Sequence, residues 1–199
     1  GNTLEVLDVA GRPSAVQEFV AGLASTDWPA LSPGVWLKLL TDAASAVAAL
    51  HRLGLAHGRF DADAVRLTPV GFVKVVDGGL PDWLDGGPLP DGAPAHDLNA
   101  LAGVAELWAG KADGRKGKKA KPLPDPLRAV LRRLAAGGDY PMADEVAKAE
   151  PYPDADHLLV DLHRLASAYP CPSADWARLL DAVAVATDAG RPGALRLAG

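Results

Sequence analysis

The residues of this chain best equipped for chemistry fall in two short strings. His57-Gly58-Arg59-Phe60-Asp61-Ala62-Asp63-Ala64-Val65 places a histidine, a guanidinium and two carboxylates close together, and Asp77-Gly78-Gly79 adds a third carboxylate. Such a set could move a proton, hold a cation or grip an anion. Arg59, with Lys74 across a predicted hairpin, reads either as an anion site or as a guanidinium paired with Asp61, Asp63 or Asp77, since acids crowd around it. Asp77 is a candidate metal ligand, but Asp-Gly is also ordinary turn chemistry, and one carboxylate rarely holds magnesium without substrate phosphates. His57 and Asp97 read as structural: a histidine packed in the core and an aspartate at a helix start, where a negative charge is favourable.

Other chemistries find less support. His96 and His163 lack the spacing of a metal pair, and His51 reads as helix surface. Neither a G-x-S-x-G elbow nor a Rossmann fingerprint occurs. A basic run, Lys111, Arg115, Lys116, Lys118, Lys119 and Lys121, is opposed only by Asp113. Lys116, Lys118 and Lys119 are its candidate partner-binding residues. No aromatic is interleaved to stack on bases, so a solvated loop between helices is the plainer reading and nucleic acid is not expected.

These residues need elements to position them. Leu4 to Asp8 and Ala15 to Val20 read as two short strands, with Gly11-Arg12-Pro13-Ser14 as the turn. Ser32-Pro33 offers a capping hydroxyl and a proline for the first helical position. Val35, Trp36, Leu39, Leu40, Ala43, Ala46, Val47 and Leu50 then recur at three- and four-residue steps, which predicts a buried helix stopping near Leu53-Gly54. Val65-Arg66-Leu67 and Phe72 to Val76 flank Thr68-Pro69-Val70-Gly71 and predict a hairpin. Residues 77 to 95, dense in Gly, Pro and Asp, predict a loop. Asp97 to Trp108 is apolar nearly all round and predicts a central buried helix. Further helices are expected at Asp125–Ala136, around Met142–Ala149, at Asp154–Ala168 and at Ser173–Ala189. Few strands come first and many helices after, an α+β fold that is predominantly α.

Composition sets the outer bounds. The 199 residues carry a formal charge of −5, and 49% are apolar, enough for a proper core and too many for a disordered chain. The single Cys171 excludes an intramolecular disulfide and a cysteine-rich zinc module. No apolar run approaches the roughly 20 residues of a membrane span. The first residues show no signal-peptide pattern, so a cytoplasmic location is expected.

The order of these features resembles the protein kinase family, in particular the bacterial eukaryote-like Ser/Thr kinases. There the catalytic loop reads roughly H-[RG]-D-L-K-P-x-N-[IV], followed by a hairpin that ends in D-F-G. His57 to Val65 and Val75-Val76-Asp77-Gly78-Gly79 resemble these strings, and 18 residues separate Arg59 from Asp77, the usual family interval between the two functional aspartates. Val16-Gln17-Glu18-Phe19-Val20 looks like the last small-lobe strand entering the hinge, so the resemblance implies Glu18 and Val20 as the nucleotide-facing hinge residues. Asp97-Leu98-Asn99-Ala100-Leu101 resembles the start of the central large-lobe helix. Glu150 to Asp156 is similar to the segment before the last kinase helix. The implied organisation is a remnant of small-lobe strands and hinge over 1–21, a large lobe over 22–169, and a C-terminal helix and tail over 170–199.

The departures from the family carry the functional expectation. The carboxylate that orients the acceptor hydroxyl and takes its proton maps to Arg59, which stays protonated and has no acceptor lone pair. The lysine that steadies the transferring phosphate maps to Asp61, and the asparagine that holds a second magnesium maps to Ala64. Only Asp77 remains as a metal ligand. No glycine-rich phosphate loop and no V-A-I-K strand occurs ahead of the hinge, and neither the A-P-E motif nor its arginine partner is present, Pro151 standing at the latter's place. Trp83, in Asp82-Trp83-Leu84-Asp85, either folds over the nucleotide cleft or anchors a partner. The expectation is a catalytically inactive pseudokinase that binds or scaffolds proteins and uses no cofactor, with ATP and magnesium not expected. The rival is an atypical Ser/Thr kinase using Asp61 or Asp63 as a displaced base. Small-molecule phosphotransferases with a His-Gly pair also need an aspartate where Arg59 stands.

Overall fold

The computed structural model describes residues 3–9, 12–17, 20–76, 93–110, 122–136 and 149–189. Glu18, Asp77, Trp83, Lys116, Lys118, Lys119 and the helix expected around Met142 lie outside the described residues.

Strands β1 (Thr3–Val9) and β2 (Arg12–Gln17) form an antiparallel pair in which Val6 faces Ala15 and Val9 faces Arg12. Arg12, Pro13 and Ser14, expected as a turn, belong to β2. A two-stranded sheet consists only of edges, so the N–H that Pro13 lacks need not break a ladder. A second sheet was only partly foreseen. Its hairpin strands β4 (Val65–Leu67) and β5 (Val73–Val75) match the expectation, but β4 also pairs on its other side with the two-residue β3 (Leu23–Ala24). The connecting turn is closed by Gly71 N–H donating to the Thr68 carbonyl at 2.9 Å and by Phe72 N–H donating to Thr68 Oγ1 at 3.0 Å.

Helix α1 (Pro33–Arg52) is the spine of the fold. Ser32 stands in extended conformation ahead of Pro33, as the sequence requires, but its hydroxyl makes no capping bond; its carbonyl accepts from Trp36 N–H at 2.8 Å instead. The stop is a paired left-handed cap. Gly54 has φ +72°, its N–H donates to the His51 carbonyl, and the Leu55 N–H donates to that of Leu50. Val35, Trp36, Leu39, Leu40, Ala43, Ala44 and Val47 are buried along this helix.

Helix α2 (Ala93–Gly110) begins a turn earlier than expected, since Pro94 fits a first turn, where the lost N–H has no partner to forgo. Its buried side is Leu98, Leu101, Ala102, Val104, Ala105 and Trp108, whereas Leu107 is exposed, so it is not buried all round. Trp36 of α1 donates its indole N–H to the Ala105 carbonyl at 2.9 Å, and Trp108 stacks at 5.0 Å on Trp28. Helices α3 (Asp125–Ala135) and α4 (Ala155–Ala166) complete the body, α4 lying against α1 and α3 against both α2 and α4. Helix α5 (Ser173–Ala189) returns over the hairpin turn, where Trp176 and Leu180 border Gly71, and Lys38 of α1 sits 4.7 Å above the Trp176 ring.

Candidate functional site

The site forms where α1, the loop after it, the hairpin and α2 converge. Asp97, in the first turns of α2, is only 1% exposed. Its Oδ2 accepts the backbone N–H of His57 at 2.7 Å, and its Oδ1 accepts that of Gly58 at 2.9 Å. Gly58 has φ +78°, so both amides turn towards the carboxylate from a left-handed bend that glycine adopts freely. The same Oδ2 lies 2.9 Å from His51 Nε2 at the end of α1. A buried carboxylate is thereby supplied with three donors, which is what burial of a charge demands.

His57 is buried and ties the loop to the hairpin. Its Nε2 donates to the Val76 carbonyl at 2.8 Å, while its Nδ1 accepts the Arg59 N–H at 3.3 Å. This pairing of one acceptor and one donor assigns a ring proton to Nε2. Phe60 meets the ring edge to face at 5.3 Å. The Val76 N–H donates to the Ala64 carbonyl at 2.8 Å, so both ends of the loop are attached to the strand that precedes Asp77.

The remaining acids serve the loop itself. Asp61 Oδ1 accepts the Ala64 N–H at 2.8 Å and closes the turn, and Asp63 Oδ1 accepts the Thr26 hydroxyl at 2.9 Å. Ser25, fully buried, donates its hydroxyl to the Ala62 carbonyl at 2.7 Å, so the segment after β3 is stitched along the loop. Arg59 presents an exposed side chain, Ala64 is buried and brings no ligand atom, and Val20 is half-buried. Among the described residues no three His, Cys, Asp or Glu side chains gather as a metal site.

His51 is the residue that sequence reasoning misplaced. It was expected on the helix surface, yet its side chain is 12% exposed and bonded to Asp97. The signal was present: Leu40, Ala44, Val47 and His51 continue one stripe at steps of three and four. Ser25 and Thr26 were also missed, and their partners lie 37 residues away, beyond any local pattern.

A second polar cluster joins α3 to α4. Arg133 donates to Asp161 Oδ2 at 2.6 Å and to the Glu150 carbonyl at 3.1 Å, with its guanidinium 4.0 Å from the centre of the Tyr152 ring. The Tyr152 hydroxyl donates to the same Asp161 oxygen, and burial together with that carboxylate pushes it well above the usual phenol range. The neighbouring Pro151 is exposed.

No family model matches this sequence, and neither does any curated protein. A solved structure does: the crystal structure of the Mycobacterium tuberculosis PknI kinase domain aligns with a TM-score of 0.53 at 21% sequence identity, over 81% of this chain and 69% of that one. At that identity the likeness establishes the fold alone. The fold is protein kinase-like and mostly helical, as the loop and helix landmarks led us to expect, and its small antiparallel sheet has three strands where a hairpin was expected. Among the described residues no helix is long and apolar enough to cross a membrane.

Proposed function

We propose that this chain is a pseudokinase, a kinase-like fold that binds protein partners and transfers no phosphate. One observation carries the reading: the loop is fully tied down by His57 and Asp97, while the position that needs a proton acceptor holds Arg59. Scaffold and chemistry have separated. Ala64 cannot ligate magnesium, and Asp61 places negative charge where a cation would meet phosphate, so the described residues do not fit the family's metal-nucleotide chemistry.

The rival, with Asp61 or Asp63 as a displaced base, is disfavoured because each has an oxygen committed to the loop or to Thr26. The test is incubation with magnesium and γ-labelled ATP, alone and with generic Ser/Thr substrates, together with thermal shift. The expected result is no labelled product and no nucleotide-dependent rise in Tm, where micromolar affinity at millimolar ATP would add several kcal/mol, about 4. Turnover abolished by Asp61→Asn, Asp63→Asn or Asp77→Ala would overturn the reading.

A further inference from the structure

The chain pairs most of its described cations with acids. Lys38, Arg52, Arg128, Arg133, Arg164 and Arg178 each meet an aspartate. Among the described residues Arg66 and Lys74 meet none. They stand directly opposite one another in the β4–β5 register, with Ala24 of β3 facing Arg66 on its other side. Val65 and Leu67, flanking Arg66, are fully buried, so alternation turns Arg66 and Lys74 to the outer face of the sheet; Arg66 is half-buried and Lys74 exposed.

Like charges directly opposite each other destabilise a strand pair, with Cβ atoms only about 5 Å apart. Asp61 and Asp63, the described acids nearest Arg66 in sequence, turn one oxygen to Ala64 N–H and one to Thr26. In a chain of net charge −5, two juxtaposed cations with no counter-ion among the described residues are suited to an external one.

We infer that the outer face of the three-stranded sheet, at Arg66 and Lys74, receives a carboxylate-rich segment of a partner protein. The row Ala24–Arg66–Lys74 holds no aromatic on which a base could stack, which disfavours nucleic acid. Two separate side-chain cations suit successive acidic side chains of an extended segment, which lie about 7 Å apart on one face. This deepens the binding-module reading and rests on it.

The test is fluorescence anisotropy with a fluorescein-labelled oligoglutamate peptide and a matched oligoglutamine control, at low and high salt. Oligoglutamate binds in preference to oligoglutamine, and raised salt weakens it. Arg66→Gln and Lys74→Gln each weaken binding several-fold, and the double variant by about tenfold or more. Equal binding of the two peptides, or a double variant as tight as the parent, overturns the assignment. So does magnesium-ATP binding that the double variant loses in the absence of any peptide binding. Lys74→Glu replaces repulsion by attraction, so it raises Tm and shifts preference to oligolysine; a lowered Tm counts against the proposal. The phosphate-transfer assay reports separately: turnover with peptide binding intact removes the inactive reading alone, and no turnover with no peptide binding removes this surface alone.

Discussion

Asp97 Oδ2 lies 2.7 Å from the backbone nitrogen of His57, so a helix-borne carboxylate, buried to 1%, holds the loop by its main chain and independently of the loop's side chains. This explains how the loop keeps its shape whatever side chains stand at Arg59, Asp61 and Ala64, the positions proposed to depart from the kinase pattern. Asp97→Ala strands the amides of His57 and Gly58 and the ring N–H of His51 without an acceptor. The expected loss of stability is about 3 kcal/mol or more. It is read from the urea midpoint at unchanged m-value.

His51 and Arg52 are neighbours with opposite expectations. His51→Ala removes a nearly buried bond to Asp97 but leaves that carboxylate its two amides, so the expected cost is about 1–2 kcal/mol. Arg52 pairs with Asp156 in the open, where side-chain entropy and screening cancel most of the attraction. Arg52→Ala therefore leaves the urea midpoint where it is. Equal effects of the two substitutions would contradict the assignment of His51 to the site.

Gly34 marks the crossing of α1 by the segment that leads into α5. A Cβ there would lie 2.1 Å from the Pro170 carbonyl oxygen, a main-chain atom that cannot swing aside. Gly34→Ala should cost about 1–3 kcal/mol by overpacking, and limited proteolysis should then cut near Pro170 sooner than in the parent. An unchanged cleavage pattern and midpoint would mean that the crossing yields without strain.

The parts of this fold legible in sequence are those with local physics. The stripe from Val35 to Leu50, the proline at the helix start and the glycine past its end define α1 to within a residue or two. The hairpin is announced by β-branched runs around Thr68-Pro69-Val70-Gly71. What was not legible depends on residues far apart in the chain. A two-residue strand such as Leu23–Ala24 carries no period and exists only because Leu67 and Arg66 lie beside it. Asp63 was read as one of three acids able to pair with Arg59, and nothing local said that Thr26 would take one of its oxygens. His51 continues the buried stripe by period, although it was read as helix surface.

Asp154 caps α4, accepting the His157 N–H at 2.8 Å and lying 2.7 Å from that residue's ring Nδ1. Those bonds hold its carboxyl below the usual aspartate range. A group depressed on folding stabilises the native state above its unfolded value, and this contribution fades as pH falls through the lowered one. The cap is half exposed, so Asp154→Ala should cost about 1 kcal/mol or less at neutral pH. The gap between the two proteins should be full above about pH 5 and narrow on acidification. A gap that widens in acid would assign the stabilisation to another group.

On the proposed reading, Arg59→Asp places an acid where the kinase pattern has one, yet it should not confer transfer. The neighbouring Asp61 would still set a negative charge against the incoming phosphate, and Ala64 would still offer magnesium no oxygen. With position 59 so changed, labelled γ-phosphate should remain on ATP at every magnesium concentration, as is proposed for the parent. Adding Asp61→Lys and Ala64→Asn supplies the cation and the metal ligand, so the triple variant is the first in the series expected to gain measurable nucleotide affinity by thermal shift. If Arg59→Asp alone confers transfer, a single guanidinium is all that silences this loop, and the other two departures have no functional weight.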